Sequence, residues 1–346
     1  MNKKEPVVAV VGATGAVGRE MLLVLAQRRF PASCVKALAS ARSVGQRLEF
    51  DHPARQGTYP SGDGYLLVEE LTPSSLDDVD IALFAAGSEL ARTYRSLLQQ
   101  TETVLIDNSS AFRMDTDVPL VVPEVNGLDV QLHQGLIANP NCSTIQLVIV
   151  LSQLAKLAPL TRVVCSTYQA ASGAGAAAMQ ELYEQTRQYL SGENLTIERF
   201  NHQIAFNCIP QIDVFLSDGF TKEEWKMVAE TRKIMHLPAL ALAMTCVRVP
   251  VLRCHAESVN VEFSQHIEPG VAREALAQAP GIAVIDEPSA QTYPMPGLLA
   301  GTDDVYIGRL RKDHSVPHGL AFWSVADQLR KGAALNAVQI AELLLI

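Results

Sequence analysis

The stretch at residues 7–18, "VVAVVGATGAVG", decides the fold of the first part of the chain. Five apolar residues are typical of a buried parallel strand, and they run into Gly12 and Gly15. The helical pattern "AVGREMLLVLAQR" follows, with Gly18 as its third residue. Glycines let a βα turn approach a pyrophosphate closely, and the helix N-terminus favours negative charge. The pattern predicts a dinucleotide site, although an ordinary βα turn is the alternative. The predicted cofactor contacts here are Gly12, Thr14, Gly15, Ala16 and Val17.

The second predicted strand, "CVKALAS", indicates which dinucleotide binds. An NAD site places Asp or Glu about 20 residues beyond the glycines, where the carboxylate binds the ribose 2′-hydroxyl. This strand ends instead in "ALASARSVGQ", where Ser40, Arg42 and Ser43 provide one cation and two hydroxyls. These groups suit a 2′-phosphate and favour NADP as the cofactor, with a solvated surface loop as the alternative.

The distribution of strands and helices predicts two domains of an α/β protein. Strand and helix patterns alternate over residues 1–134, which predicts a Rossmann-like, doubly wound parallel sheet. Longer alternating strands follow, including "RVVCSTYQA", "MTCVRVPV" and "HAESVNVEF", and they predict an α+β catalytic domain with a mostly antiparallel sheet over residues 135–327. An apolar stripe at residues 328–346 predicts a C-terminal helix that completes the NADP-binding domain.

Composition narrows the class of function. The chain has 346 residues, of which 48% are hydrophobic and 19% charged, and its formal net charge of −9 argues against a nucleic-acid surface as the main partner. The first strand pattern begins at Pro6, which leaves no room for a signal peptide, and no apolar stretch is long enough to span a bilayer. The six cysteines show no paired spacing, so we expect reduced thiols in the cytoplasm rather than disulfides or a metal site.

Cys142 lies at the predicted start of a helix. In "NPNCSTIQLVIVL" (139–151), Asn139 or Asn141 can cap a helix and Pro140 suits its first turn. Cys142 then lies in the first turn, where the helix macrodipole and the backbone N–H groups favour a thiolate. This predicts a nucleophile, whereas a small buried apolar role is the default for the other cysteines. Among eight histidines, His255 at the head of "HAESVNVEF" is the candidate proton acceptor.

Ten segments resemble bacterial-type aspartate-semialdehyde dehydrogenases, in the same order from about residue 6 to the C-terminus. They are "VGATGAVG", "LASARSVGQ", "IDNSSAFRMDTDVPLVVPEVN", "NPNCSTIQ", "STYQAASGAG", "HQIAFNCIPQID", "TKEEWKMVAETRKIM", "VRVPV", "HAESVNVEF" and "LRKGAALNAVQIAE". The related reductase of N-acetyl-glutamyl phosphate would differ around its cysteine, without the Asn-Cys-Ser-Thr stretch.

The resemblance implies that the chain interconverts L-aspartate 4-semialdehyde plus phosphate with 4-phospho-L-aspartate, using NADP and a cysteine thioester. It also implies a homodimer or homotetramer, with dimerisation through the second domain, and a place in lysine, threonine, methionine and diaminopimelate biosynthesis. Cys142 becomes the nucleophile, His255 the acid/base and Gln169 the residue that orients the substrate.

The resemblance also assigns binding residues for the anionic substrates. Arg113 and Lys226 match phosphate ligands, and Arg248 matches the arginine for the substrate carboxylate, a task that suits a planar guanidinium. Glu223, three residues before Lys226, is the candidate for the ammonium group, with a solvated Glu–Lys helix pair as the alternative. The remaining predicted cofactor contacts are Ser172, Gly173 and Gln328.

The sequence departs from the family pattern at several positions. Arg253 and Cys254 precede His255 where small residues are usual, Ala256 replaces a frequent serine, and Gln328 stands where asparagine is expected. "AAGSE" (85–89) carries one glycine where the pattern often has two. These departures concern cofactor contacts more than the reaction. Two other functions stay open: an NADP-dependent acyl-phosphate reductase for another substrate, and an inactive paralogue with an interaction role. Retention of the predicted catalytic and cationic residues argues against the inactive paralogue.

Overall fold

The computed structural model describes residues 4–51, 64–99 and 101–345. The chain divides into two compact units. The first unit comprises Met1–Asn141 together with Ala333–Ile346, and the second unit comprises Cys142–Gly332. In the described ranges, no helix is both long enough and apolar enough to cross a membrane.

Within its described residues, the first unit contains a seven-stranded sheet in the order β3-β4-β2-β1-β5-β6-β7. The strands are β1 (Val7–Val11), β2 (Cys34–Ala39), β3 (Arg47–Glu49), β4 (Tyr65–Glu70), β5 (Ile81–Phe84), β6 (Val104–Asp107) and β7 (Leu136–Ala138). The helices that alternate with them are α1 (Ala16–Gln27), α2 (Ser88–Leu98) and α3 (Pro123–Asn126). All neighbouring strands are parallel except β3 and β4, so the predicted Rossmann-like parallel sheet is confirmed.

Burial explains why these segments form strands. The residues of β5 and β6 are all buried, as are four of the five residues of β1. Such continuous apolar runs are typical of parallel strands, whose two faces are both covered. The chain runs from β1 to β2 on one side of β1, whereas β5 pairs on its other side. The carboxyl end of β1 is therefore a point where the strand order reverses, which is where nucleotide sites form in such sheets.

The second unit contains, among its described residues, a six-stranded mixed sheet in the order β11-β12-β13-β10-β8-β9. Its elements are α4 (Cys142–Ala155), β8 (Leu160–Gln169), α5 (Ala176–Ser191), α6 (Lys222–Ile234), β9 (Ala241–Arg248), β10 (His255–Phe263), α7 (Pro269–Ala277), β11 (Ile282–Val284), α8 (Pro296–Leu299), β12 (Val305–Asp313) and β13 (Gly319–Ala326). The run β12-β13-β10-β8 is antiparallel, and the outer pairs β11-β12 and β8-β9 are parallel. The predicted mostly antiparallel sheet is confirmed.

Helix α4 and strand β10 form the interior of the second unit. Nearly every residue of α4 is buried, and the helix packs against α6, α7 and strands of the sheet. Along β10, burial alternates from Glu257 onward, with Glu257, Val259 and Val261 inside. Helix α4 begins at Cys142 and strand β10 begins at His255, so each predicted catalytic residue is the first residue of a buried element.

The C-terminal segment differs from the predicted helix over residues 328–346. The backbone forms a π-type turn at Arg330–Ala334, and the regular helix α9 spans only Leu335–Leu343. The turn is wound around Asp327, whose backbone carbonyl accepts the N–H groups of Arg330 and Gly332 at 3.0 and 3.3 Å. Helix α9 packs against α1 in the first unit, and Glu342 accepts two hydrogen bonds from Arg28 at 2.7 Å.

Candidate active site

The predicted nucleophile opens a buried helix. Cys142 is the first residue of α4 and is half-buried. Gly332, in the π-type turn, lies directly against it: a Cβ atom at Gly332 would come within 2.9 Å of the Cys142 Cβ. Real Cβ atoms essentially never approach so closely, so the turn needs glycine at this point. The first-turn location predicted for the thiol is the one observed.

The predicted acid/base is held by the backbone. His255 is fully buried at the start of β10, and its Nδ1 accepts the backbone N–H of Ala170 at 3.1 Å. Because Nδ1 accepts a hydrogen bond, the neutral ring carries its hydrogen on Nε2. The buried Nε2 atom has no hydrogen-bond partner within the described residues. Burial, together with the charge of Arg248, puts the pKa of His255 well below its ordinary value of 6.5.

Arg248 lies beside this histidine. Arg248 is 6% exposed, and its Nη1 donates to the Ala170 carbonyl at 2.6 Å. Burial lowers the pKa of Arg248, although negative charge on Cys142 or on Glu223 opposes the shift. The two backbone groups of Ala170 thus support the base and the guanidinium together.

The absence of a side chain at Gly173 leaves room beside both groups. A Cβ there would lie 2.8 Å from Arg248 Nη1 and 3.1 Å from His255 Nε2. Any larger residue would displace the imidazole or the guanidinium, so Gly173 preserves space next to the unpartnered Nε2–H.

Gln169 joins a chain of polar side chains that reaches α6. The amide of Gln169, at the end of β8, donates to Glu223 Oε1 at 3.4 Å and to Thr167 Oγ1 at 3.3 Å. Glu223 Oε2 binds Lys226 Nζ at 3.1 Å, and Lys226 also pairs with Asp213 at 2.8 Å. Burial opposes the charge on Lys226, but the two carboxylates outweigh it and raise the pKa of Lys226. Glu223 is buried, so the solvated-pair alternative is wrong.

Gln328 and Ser172 support the backbone that leads into His255. Gln328 Oε1 accepts the N–H of Cys254 at 2.9 Å, and its Nε2 donates to the Ser172 hydroxyl. Cys254 has φ +74°, a conformation that is strained for a residue with a side chain. Each end of the Gln328 amide retains one further hydrogen-bonding position, so a cofactor contact stays a prediction.

The first unit carries the predicted nucleotide residues. Gly12 has φ +82°, and a Cβ there would lie 2.7 Å from the Ala85 carbonyl oxygen. Gly15 caps α1 without a side chain, which leaves the helix N-terminus open to an anion. Thr14, Ala16 and Val17 belong to the same turn, and the Thr14 carbonyl accepts a hydrogen bond from Arg19 at 3.0 Å.

The predicted 2′-phosphate residues follow β2, next to β1 in the sheet. Ser40 precedes a short 3-10 helix, Ala41–Ser43, and Arg42 is exposed within it. The turn after β1 and this loop both follow the carboxyl ends of adjacent parallel strands. The donor set, an open helix N-terminus with a nearby guanidinium and hydroxyls, fits a phosphorylated dinucleotide.

Arg113 lies in the first unit, after β6. The residue is 8% exposed, and its Nη2 donates to the Asn108 carbonyl at 2.8 Å. The structure therefore gathers the other predicted substrate residues in the second unit, while Arg113 belongs to the first.

Three contributors at the site were not anticipated from the sequence. They are Asp213, the backbone groups of Ala170, and Gly332. Asp213 adopts φ +67° in the irregular segment between α5 and α6, so no periodicity marks it. The backbone groups of Ala170 leave no signal in the sequence, because every residue except proline has them. Gly332 lies within a helical pattern, where a glycine does not indicate a close contact.

Comparison with protein families gives the class of protein: the chain is similar to semialdehyde dehydrogenases along most of its length. Models of two domains match the chain. The NAD-binding domain of semialdehyde dehydrogenases matches residues 7–133, and their dimerisation domain matches residues 151–331.

Individual relatives narrow this class. An aspartate-semialdehyde dehydrogenase of Aquifex aeolicus is 50% identical over 340 residues, covering 97% of each chain. That of Bacillus subtilis is 46% identical over 97% of this chain and 96% of its own. The crystal structure of aspartate semialdehyde dehydrogenase II from Vibrio cholerae complexed with ASA superposes with a TM-score of 0.92, at 43% identity, over 99% and 98% of the two chains. The chain belongs to the aspartate-semialdehyde dehydrogenase family.

Proposed function

We propose that the protein oxidises L-aspartate 4-semialdehyde with NADP⁺ and phosphate to 4-phospho-L-aspartate, and catalyses the reverse reaction. The observation that carries the proposal is the grouping of Cys142, His255 and Arg248: Arg248 lies beside the base and within electrostatic range of the thiol. The test is an assay of NADPH formation from the semialdehyde with and without phosphate. Formation that does not depend on phosphate, or that prefers a longer aldehyde, would contradict it.

The first step uses the thiolate of Cys142. Its sulfur attacks the aldehyde carbon, and the carbonyl oxygen becomes an alkoxide. His255 enters this step as a neutral ring with hydrogen on Nε2, so it donates a hydrogen bond to the developing negative charge without first losing a proton. This refines the predicted acid/base role, because in this tautomer the ring acts as a donor before it can act as a base.

NADP⁺, when bound, supplies the acceptor for the hydride that leaves the substrate carbon. Residues of the first unit would hold the dinucleotide: the turn around Gly12 and Gly15 would bind the pyrophosphate, and Arg42 with its neighbouring hydroxyls would bind the 2′-phosphate. Loss of hydride would convert the Cys142 adduct into a thioester. Contacts of Ser172, Gly173 and Gln328 with the cofactor remain predictions from the resemblance.

Inorganic phosphate then attacks the thioester carbon, and the Cys142 thiolate leaves as 4-phospho-L-aspartate forms. Arg113 and Lys226 are the proposed phosphate ligands. The charge of Lys226 is already shared with Glu223 and Asp213, so phosphate has to compete with two carboxylates for it. The two carboxylates attract a positively charged group more readily than they tolerate phosphate. This supports Glu223 as the group that binds the substrate ammonium.

Arg248 and Arg113 should give separable kinetic effects. We expect Arg248→Leu to raise the KM for the semialdehyde by about tenfold or more, because a charge-assisted hydrogen bond contributes about 1.5–3 kcal/mol. Arg113→Leu should instead raise the KM for phosphate by a similar factor. Initial rates with each substrate varied in turn measure both effects. The assignment fails if the two variants share one kinetic profile.

Arg42 should determine the preference for NADP over NAD. Arg42→Ala removes the proposed contact with the 2′-phosphate, so we expect the KM for NADP to rise about tenfold or more while the KM for NAD barely changes. Arg47→Ala is a matched control, because Arg47 lies in the same region but stacks over the Tyr65 ring. Equal effects of Arg42→Ala on both cofactors would exclude this contact.

Assembly and compartment complete the proposal. The family model that covers residues 151–331 is that of a dimerisation domain, which supports a homodimer or homotetramer. All six cysteines are thiols rather than disulfides, and the reaction needs the Cys142 thiolate. A reducing cytoplasm suits both features.

A further inference from the structure

A buried carboxyl group near the start of β10 takes no part in the proposed chemistry. Glu257 is fully buried in β10, and its Oε2 binds the hydroxyl of Ser324 at 3.3 Å. Ser324, directly opposite on β13, accepts a hydrogen bond from Gln146 Nε2 at 2.8 Å. The three side chains form a hydrogen-bonded link from helix α4 through β13 to β10.

The two ends of this link stand next to the catalytic residues. Gln146 follows Cys142 by four residues, one turn further along α4, and therefore lies on the same side of the helix. Glu257 follows His255 by two residues on β10, so both side chains face the same side of the sheet. The link thus joins the nucleophile's helix to the imidazole's strand.

The surroundings of Glu257 favour its uncharged form. Oε1 is buried and has no hydrogen-bond partner in the described parts of the chain. The thiols of Cys165 on β8 and Cys246 on β9 lie within electrostatic range of Glu257, and burial raises the pKa of both, so both stay uncharged and neither offsets a negative charge on the carboxyl group. Burial also raises the pKa of Glu257 well above its ordinary value, although the Ser324 hydroxyl opposes the shift. An isolated carboxylate would be very unfavourable here.

We propose that Glu257, as a neutral carboxylic acid, is a positioning residue for the Cys142–His255 pair, which it aligns through Ser324 and Gln146. This proposal rests on the proposed function, because it concerns the alignment of the same two catalytic residues. The link fixes the distance between α4 and β10, and an error of about 1 Å in the placement of reacting groups can reduce a rate by about a hundredfold.

The test compares three substitutions in the full-length protein. Glu257→Gln keeps a neutral polar group of the same shape, and we expect its kcat to stay within about threefold of wild type. Glu257→Leu removes the link, and we expect kcat and the alkylation rate of Cys142 by iodoacetamide to fall about tenfold or more. Val259→Ala is the matched control: it lies two residues further on the same buried face, so it should lower Tm while kcat stays within about twofold.

Alkylation distinguishes failure of this proposal from failure of the proposed function, because it reports on the thiol without substrate or cofactor. Equal losses in Glu257→Gln and Glu257→Leu would show that the group acts as a carboxylate and would overturn the proposal. A lower Tm in Glu257→Leu with unchanged kcat and alkylation would show a structural role only. Ser324→Ala provides a second route: combined with Glu257→Leu it should add little further loss, whereas additive losses would exclude a common link.

Discussion

Replacing Cys142 by serine should lower kcat by more than about a thousandfold while cofactor binding stays intact. A serine hydroxyl at neutral pH is a far weaker nucleophile than a thiolate, because it stays protonated unless a general base removes its proton. The neutral His255 presents hydrogen on Nε2 and cannot accept a second proton there. Removal of a nucleophile typically removes most of the rate enhancement of an enzyme.

Steady-state turnover and mass spectrometry together measure this effect. Wild type incubated with the semialdehyde and NADP⁺ but without phosphate should accumulate an acyl group on Cys142, and Cys142→Ser should not. Cys208→Ser is the matched control, because Cys208 is the exposed cysteine of the second unit and should tolerate the change. A Cys142→Ser variant with the kcat of wild type would refute covalent catalysis at this residue.

The sheet of the first unit and the helix start at Cys142 could be predicted because their signals are local. A strand, a glycine turn and a helix follow one another within residues 7–27, and the cap, the proline and the cysteine are adjacent. The single glycine of "AAGSE" also has a local explanation, since Gly87 adopts φ +89° at the start of α2. Each of these features depends on neighbours in sequence and needs no knowledge of distant contacts.

The departures near His255 could not be interpreted from sequence, because their partners lie far along the chain. Arg253 pairs with Asp327 at 2.6 Å, and the strained Cys254 is held by Gln328. Ala256 is buried in a cluster with Leu299 and Val325, where a serine hydroxyl would need a partner. The four departing residues thus belong largely to one local arrangement, and each is explained only by contacts with residues more than forty positions away.

The position of the hydrogen on the His255 ring could not be predicted from the sequence either. The sequence predicted an acid/base from residue type and family pattern alone. Which nitrogen carries hydrogen depends on the Ala170 N–H, a backbone group that any residue except proline would supply. The difference between a base and a hydrogen-bond donor is therefore set by backbone geometry, which a sequence pattern does not encode.

Replacing His255 by alanine should lower kcat by about a hundredfold to ten-thousandfold, the range typical for loss of a general acid/base or an oxyanion donor. His255→Asn should retain about tenfold more activity than His255→Ala, because an asparagine amide still offers an N–H donor but cannot act as a base. Single-turnover formation of the Cys142 acyl group measures the step directly. Equal inactivity of the two variants, with folding and cofactor binding intact, would favour a base over a donor.

The pH dependence of wild type provides an independent check on the same residue. The pKa of His255 lies well below 6.5, so the ring stays neutral as the pH falls through 6.5, and kcat/KM should show no histidine limb there. Only at still lower pH should protonation place a second cation beside Arg248 and reduce activity. Arg248→Leu removes the neighbouring charge, so the pKa of His255 should rise and the acid limb should move to higher pH. A limb that stays in place in Arg248→Leu would show that the two groups do not interact, and a wild-type limb near pH 6.5 would show that His255 titrates as an ordinary exposed histidine.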